Sequence, residues 1–234
     1  MRIRTSVAIV PRIMQISGVF FSTGGLVAGA LASGAALAYA VRLAPWRRLL
    51  HRDQSNVYFG ALVGLLVLWL LRTEVADGFV FHLSAVTTLT LLFGWSLAVI
   101  GGVVVLLGIT IAGLADWPGF PINVLVEVVL PVTLTQFLLV IVRSTLPKHF
   151  FIYVFVNAFL AGGVVATISA YFAATLLAVT GSYSWAEMQS TFVPFFPLMF
   201  FPEAFLNGWA MTLLVVFKPH WVGSFRDEEY LRGK

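Results

Sequence analysis

The feature that most constrains the fold of this chain is the length of its uncharged stretches. No Asp, Glu, Lys or Arg lies between Asp77 and Asp116, or between Lys148 and Glu187. Each stretch is longer than the roughly 20 residues that a helix needs to cross the hydrocarbon core of a bilayer. The mean hydropathy of the whole chain is +0.97, and only 10% of its residues are charged. These properties exclude a soluble globular domain and predict an all-α, polytopic bundle of transmembrane helices.

We predict seven spans in one bundle. The spans are residues 18–41, 57–71, 79–93, 95–114, 122–142, 150–180 and 192–217. The third span is short, and it is either a complete tilted span or a re-entrant segment packed inside the bundle. On this interpretation residues 1–17 are an amino-terminal extension, residues 18–217 form the transmembrane bundle, and residues 218–234 are a tail.

The positively charged residues are concentrated in alternate loops. They are Arg42, Arg47, Arg48 and Arg52 in one loop, Arg143 and Lys148 in another, and Lys218, Arg226, Arg232 and Lys234 in the tail. The positive-inside rule places these loops and the carboxyl terminus in the cytoplasm, and the amino terminus outside. Because these residues flank apolar segments, we interpret them as topology signals and expect no nucleic-acid partner.

The first residues conflict with this topology, because Arg2, Arg4 and Arg12 would lie outside. Three explanations stay open. Translation begins at Met14, or the segment is the start of a signal peptide that ends near the ALAYA stretch at residues 36–40. In the third explanation it is a genuine short extension whose charges the downstream loops overrule.

The first span contains small residues at four-residue spacing. They are Ala28, Ala32, Ala36 and Ala40, with Gly25 and Gly29 as a second pair. Such a face allows another helix to approach closely. It serves either packing within the bundle or docking of a partner membrane protein.

His82 is a candidate metal ligand in an otherwise apolar segment, and hydroxyl residues such as Ser84, Thr87 and Thr88 follow it. A histidine facing lipid is costly, so we expect it to face the bundle interior or a cavity, near the outer surface. Neutral imidazole binds nickel, cobalt, copper and zinc, and nearby hydroxyl groups can orient such a ligand. The alternative is an interfacial histidine hydrogen-bonded to a hydroxyl or a carbonyl group.

Two acidic residues lie inside predicted spans, each four residues from an asparagine. Asn123 precedes Glu127, and Glu203 precedes Asn207, so each pair shares a helical face that we expect to turn inward. An intramembrane carboxylate is a candidate functional group. The alternatives are hydrogen-bonded structural acids, or a proton-coupled carrier that uses Glu127 and Glu203.

Several kinds of chemistry are excluded by missing residues or motifs. The chain contains no cysteine, which removes disulfides, thiolate metal sites and thiol redox chemistry. It contains no P-loop, no nucleophile elbow and no HExxH motif. We therefore expect neither an enzyme nor a permanently bound cofactor, and any ATP hydrolysis would come from partner subunits.

Four segments in order resemble one family. They are MQISGVFFS from Met14, FHLSAVTTLTLLFGW with His82, INVLVEVVLPVTL with Asn123, and FPEAFLNGWAMTLLVVF near the end. From Met14 onward the chain resembles the CbiM/NikM-type membrane component of energy-coupling factor (ECF) transporters, a class of ABC importer that takes up cobalt or nickel.

The resemblance implies a function and a site. The family holds its metal with the free amino terminus, the second residue and an inner histidine, which match Met14, Gln15 and His82 here. Gln15 is not an imidazole, so it departs from the family pattern. The implied protein is a multi-pass substrate-capture component in the bacterial inner membrane, for cobalt, nickel or another divalent transition metal. Its implied partners are membrane lipids, a transmembrane coupling protein and ATPase subunits; the alternative is a non-transporting accessory or assembly subunit of a larger membrane complex.

Overall fold

The computed structural model describes residues 15–71, 73–76, 79–181, 183–191, 193–226 and 230. Within these ranges the chain is predominantly helical, with single 3₁₀ turns at Gly18–Phe20, Val193–Phe195 and Pro219–Trp221. The helices are α1 (Thr23–Leu43), α2 (Trp46–Leu49), α3 (Arg52–Leu70), α4 (Val86–Phe93), α5 (Trp95–Ile111), α6 (Phe120–Thr145), α7 (Phe150–Val179), α8 (Trp185–Thr191) and α9 (Phe196–Phe217).

Among the described residues, five helical stretches are long and apolar enough to cross a membrane. They are α1, α3, α6, α7 and the stretch Trp185–Phe217, which combines α8 and α9. Helix α5 has 17 residues, about 25 Å, and is shorter than the usual span. The prediction of a helical membrane bundle is confirmed, whereas the number of seven spans is not.

Of the two alternatives for residues 79–93, the structure fits a segment packed inside the bundle and not a complete span. Its first part is Phe79–Phe81, a short strand that pairs antiparallel with Thr73–Ala76 within an otherwise helical fold. Its second part is α4, whose eight residues extend about 12 Å. Helix α4 ends at Gly94, whose φ of 81° turns the chain into α5. Seven of its eight residues are buried, which corresponds to a short helix packed inside the bundle.

Two helices contain π-helical turns, at Val124–Val129 in α6 and at Tyr153–Leu160 in α7. In α6 the wide turn precedes Pro131, which has no N–H to donate to the Glu127 carbonyl in a regular helix. Turns of this kind often occur at functional sites. In α6 the π turn contains Glu127, one of the candidate site residues.

Close approach between α7 and α9 depends on glycines. A Cβ on Gly162 would lie 2.9 Å from Asn207 Cβ, and one on Gly208 would lie 2.9 Å from Phe159 Cβ. On α1, a Cβ on Gly29 would lie 2.3 Å from Ile122 Cδ1. These positions therefore allow helices to pack closely around the polar residues of α6 and α9.

The small-residue face of α1 is divided between two environments. Gly29 and Ala40 are buried against the bundle, where α1 packs on α5 and α6. Ala28 and Ala32 are exposed on the outside of the bundle. The packing interpretation therefore fits one part of this face, and the second part stays open to a partner.

Residues 218–226, which the sequence analysis assigned to a tail, pack against the bundle. The N–H groups of Gly223 and Ser224 donate to the carbonyl oxygens of Leu92 and Leu91 over 2.8 and 3.1 Å, so they satisfy the carboxyl end of α4. Arg48 Nη2 donates to the Trp221 carbonyl over 3.0 Å. We call this end of the molecule, where α2 and the start of α3 meet residues 218–226, the basic end.

Candidate metal-binding site

His82 lies between the second strand and α4, and only 4% of its surface is exposed. Its ring contacts the Trp69 indole, with ring centroids 5.3 Å apart. The same indole donates from Nε1 to the Ser84 carbonyl over 2.9 Å. Trp69 on α3 therefore positions the loop that holds the imidazole.

A cavity of about 30 Å³ lies beside His82. Its polar lining residues are His82, Ser84, Glu127, Ser169 and Glu203. A cavity of this size accommodates about one water molecule or a single dehydrated ion. The fully buried Ser169 hydroxyl makes no hydrogen bond among the described residues. The cavity is thus a small space lined by an imidazole, two carboxyl groups and the Ser169 hydroxyl group, which is available to bind a guest.

Glu203 holds the loop between His82 and α4. Its carboxylate accepts hydrogen bonds from the backbone N–H of Ser84, from that of Ala85 over 3.3 Å, and from Asn207 Nδ2 over 2.9 Å. Ala85 has a left-handed conformation with φ 48° and ψ 16°, which is strained for a residue with a Cβ. The bonds to Glu203 stabilise this strained residue at the edge of the cavity.

Asn207 supplies the amino-terminal cap that α4 cannot provide itself. A cap residue usually accepts from an N–H in the first turn through a side-chain oxygen, which Ala85 lacks. Asn207 Oδ1 accepts instead from the Thr88 N–H and from the Thr88 hydroxyl, each over 2.8 Å. The cap therefore comes from another helix, and it fixes α4 to α9.

The start of the described chain is attached to α6. Asn123 Oδ1 accepts from the Ile16 N–H over 2.8 Å, and Asn123 Nδ2 donates to the Ile16 carbonyl over 3.0 Å. The Asp116 carboxylate accepts from the Gly18 N–H over 2.8 Å and from the Ser17 hydroxyl over 3.3 Å. We call residues 15–18 the amino-terminal strip; these four bonds hold it in place.

The amino-terminal strip lies next to the cavity. Ile16 belongs to an apolar cluster with Val126, Ala173 and Met199, and these three residues also line the cavity. Gln15 is 7% exposed. Met14, the other tentative ligand, lies outside the described residues. The amino-terminal strip thus packs, through Ile16, in the same apolar cluster as three residues of the cavity wall.

The predicted site residues are distributed around this one region. His82, Glu127 and Glu203 line the cavity, Asn207 supports Glu203, and Asn123 holds the amino-terminal strip. All of them are buried. Within the described ranges, no group of three or more His, Cys, Asp or Glu side chains is close enough to hold a metal ion. A complete ligand set would therefore need backbone or amide donors, or a rearrangement of the carboxyl groups.

Four features of this region were not predicted from the sequence: Trp69, Asp116, Ser169 and the role of Thr88 as the partner of the cap. A signal existed for Asp116, because the stretch Asp116–Trp–Pro–Gly119 is typical of a turn whose aspartate accepts from nearby backbone N–H groups. Gly119 N indeed donates to the Asp116 carboxylate over 3.2 Å. Trp69 and Ser169 gave no signal, because such residues are common in membrane helices.

Comparison with known proteins identifies the family. The family model described as CbiM, cobalt uptake substrate-specific transmembrane region, matches residues 15–221. Since the match covers most of the chain, the chain belongs to the CbiM family and is a multi-pass membrane protein of cobalt transport. Comparison with curated proteins and with solved structures gave no match.

Proposed function

We propose that this member of the CbiM family is the substrate-capture component of an ECF-type importer and that its substrate is a divalent transition metal ion of the cobalt or nickel class. One observation supports this most strongly: the buried imidazole of His82 borders a cavity of about 30 Å³. Imidazole is a preferred ligand of these metals.

The charges around the cavity suit a cation. Glu127 and Glu203 lie in its wall, and a carboxylate next to a bound divalent ion lowers the cost of placing that ion at low dielectric. Glu203 also accepts hydrogen bonds from the backbone N–H groups of Ser84 and Ala85, which hold its carboxyl group in the wall of the cavity. The Ser169 hydroxyl offers a further donor atom on α7.

The amino-terminal strip would complete the site. Asn123 and Asp116 fix the backbone of Ile16 and Gly18, and Ile16 shares an apolar cluster with residues of the cavity wall, which supports Gln15 as an additional ligand. An amide oxygen from Gln15 is a harder and weaker donor than the imidazole found in the family at this position. We therefore expect weaker metal binding, or a different metal preference, instead of tight binding of nickel with square-planar geometry.

The proposed setting is the bacterial inner membrane, with the basic end in the cytoplasm. Arg47, Arg48, Arg52 and Lys218 cluster at that end, as the positive-inside rule requires. The cavity and the amino-terminal strip then belong to the outer half, where substrate arrives. A transmembrane coupling protein and ATPase subunits would supply the energy, because this chain has no ATPase motif.

Metal binding by purified protein tests the proposal. We expect wild-type protein to bind Co²⁺ in equilibrium titrations and His82→Ala to lose that binding, with an unchanged helical circular dichroism spectrum. His51→Ala is the matched control, since His51 lies at the start of α3 and makes no side-chain cap bond. Equal Co²⁺ affinity in wild type and His82→Ala would contradict the metal role. Folded wild-type protein that binds neither Co²⁺ nor Ni²⁺ would instead support the accessory-subunit interpretation.

A further inference from the structure

A second and larger space lies away from the His82 cavity. It is a groove of about 720 Å³ between α3 and α9, with α4 as its floor. On α3 its lining residues run from Asp53 to Leu68 in steps of three and four, which is one continuous helical stripe. On α9 they are Leu206, Ala210 and Leu214, in steps of four, and Lys218 follows directly after the end of the helix. The groove therefore follows the bundle axis from the basic end to the middle of the molecule.

Two glycines on α3 keep this groove wide without serving internal packing. A Cβ added to Gly60 or to Gly64 would meet no atom within 4 Å. By contrast, a Cβ on Gly101, on the α5 helix that packs against α3, would lie 2.6 Å from Leu62 Cδ2. A glycine inside a helix costs about 1 kcal/mol relative to alanine, so Gly60 and Gly64 carry this cost without an internal packing partner.

Polar groups are confined to one end of the groove. Asp53 and Asn56 of α3 face Lys218, His220 and Trp221, and all five belong to the basic end. Lys218 Nζ lies 5.5 Å from the centroid of the Trp221 ring, an arrangement common where a helix leaves the membrane. The groove thus offers one ammonium group and one carboxylate group at its mouth.

The apolar part of the groove has the length of one leaflet. It runs along α3 from Val57 to Leu68, eleven residues or about 17 Å. Half of the hydrocarbon core of a bilayer is about 15 Å. On α9 the apolar lining runs only from Leu206 to Leu214, eight residues or about 12 Å, and Leu206 lies near the middle of α9, so the groove does not continue along the outer half of that helix. Both the length and the position of the polar end therefore match an acyl chain that enters from the leaflet at the basic end.

We propose that this groove binds one phospholipid with a primary-amine headgroup, phosphatidylethanolamine. Its phosphate pairs with Lys218, its ammonium group pairs with Asp53, and an acyl chain lies along Gly60 and Gly64. The charge pattern selects this headgroup, because an anionic lipid without an amine leaves Asp53 facing a negative charge. A quaternary amine has no N–H to donate to the carboxylate. The bound lipid touches Ala85 and Thr88, the residues through which α9 holds α4.

Native mass spectrometry of the detergent-purified protein tests this proposal, with phosphatidylethanolamine, phosphatidylglycerol and phosphatidylcholine added separately. We expect wild type to retain one phosphatidylethanolamine in preference to the other two. Gly64→Leu fills the groove and should weaken retention of phosphatidylethanolamine at least about tenfold. A tenfold loss of affinity corresponds to roughly two methylene groups of the acyl chain that no longer lie in the groove. Gly34→Leu is the matched control, because a Cβ at Gly34 also meets no atom within 4 Å but Gly34 lies on α1.

The headgroup assignment has its own variants. Asp53→Asn should remove the preference for phosphatidylethanolamine over phosphatidylcholine, and Lys218→Gln should weaken retention of all three lipids. A photo-crosslinker at position 64 in cells should give an adduct with the mass of a lipid. Equal retention by Gly64→Leu and Gly34→Leu, equal binding of the three lipids by wild type, or a crosslink to a polypeptide would each overturn the proposal.

Discussion

Replacing Asn207 with alanine should loosen the amino end of α4. The substitution removes the acceptor of the Thr88 N–H and of the Thr88 hydroxyl, two bonds of 2.8 Å between α9 and α4. An orphaned buried N–H costs about 1–3 kcal/mol, and a lost side-chain bond between membrane helices costs on average about 0.6 kcal/mol. The free energy of unfolding should therefore fall by about 2–4 kcal/mol.

Two further variants separate the contributions. Thr88→Val removes the hydroxyl bond and keeps the backbone bond to Asn207, so its cost should be about 0.6 kcal/mol and at most about 1.7 kcal/mol. Asn157→Ala is the matched control, because Asn157 is also a buried asparagine but its Oδ1 makes no hydrogen bond among the described residues. Asn157→Ala should lower the free energy of unfolding by at least about 1 kcal/mol less than Asn207→Ala does.

Unfolding in mixed micelles, titrated with sodium dodecyl sulfate and followed by tryptophan fluorescence, measures these differences. The double variant of Asn207→Ala and Thr88→Val should cost less than the sum of the single variants, because both remove the same bond. The cap from α9 does not hold α4 if Asn207→Ala lowers the free energy of unfolding no more than Asn157→Ala does. The same conclusion follows if the effects of Asn207→Ala and Thr88→Val simply add in the double variant.

Two other predictions concern packing and topology. Gly208→Val should lower the free energy of unfolding by about 1–3 kcal/mol, because its Cβ would lie 2.9 Å from Phe159 Cβ and 3.2 Å from Phe159 Cα, whereas Gly34→Val should change it little in the same titration. Equal effects would contradict the close contact of α7 with α9. Because the chain has no cysteine, an impermeant maleimide applied to intact cells should label Ser184→Cys and leave His220→Cys unlabelled. The reverse labelling would contradict the proposed orientation.

Much of the helical framework could be predicted from hydropathy alone. The predicted span 150–180 differs from α7 by one residue, since its apolar stretch begins after the basic loop and ends at a glycine turn. The four-residue spacing of Asn123 with Glu127 and of Glu203 with Asn207 also indicated one inward face for each pair, and all four side chains are buried. Such predictions succeed where a local pattern decides the outcome.

Helix α4 could not be predicted, because its limits depend on distant residues. Its amino end is satisfied by Asn207 and its carboxyl end by Gly223 and Ser224, more than a hundred residues along the chain. Apolar composition is the same for a segment that faces lipid and for one surrounded by protein. The sequence therefore gave no means to distinguish a complete span from a short buried helix.

The candidate site was only partly predictable for a similar reason. His82 was identified because a single imidazole is unusual among apolar residues. Its neighbours Trp69 and Ser169 are ordinary residues of membrane helices, and only the fold brings them to the cavity. Residues 15–17 of the amino-terminal strip were assigned to an extension, although Asn123 of α6 and Asp116 in the preceding turn attach the strip to the bundle.

X-ray absorption spectroscopy at the cobalt edge tests the central claim, that His82 binds the transported ion, most directly. The account predicts that Co²⁺-loaded protein shows an imidazole nitrogen at about 2.1 Å from the metal, with the outer-ring scattering of a histidine, and that His82→Ala loses this signal. His51→Ala should keep it. A cobalt spectrum without imidazole scattering in wild type, or an identical spectrum in His82→Ala, would contradict the account.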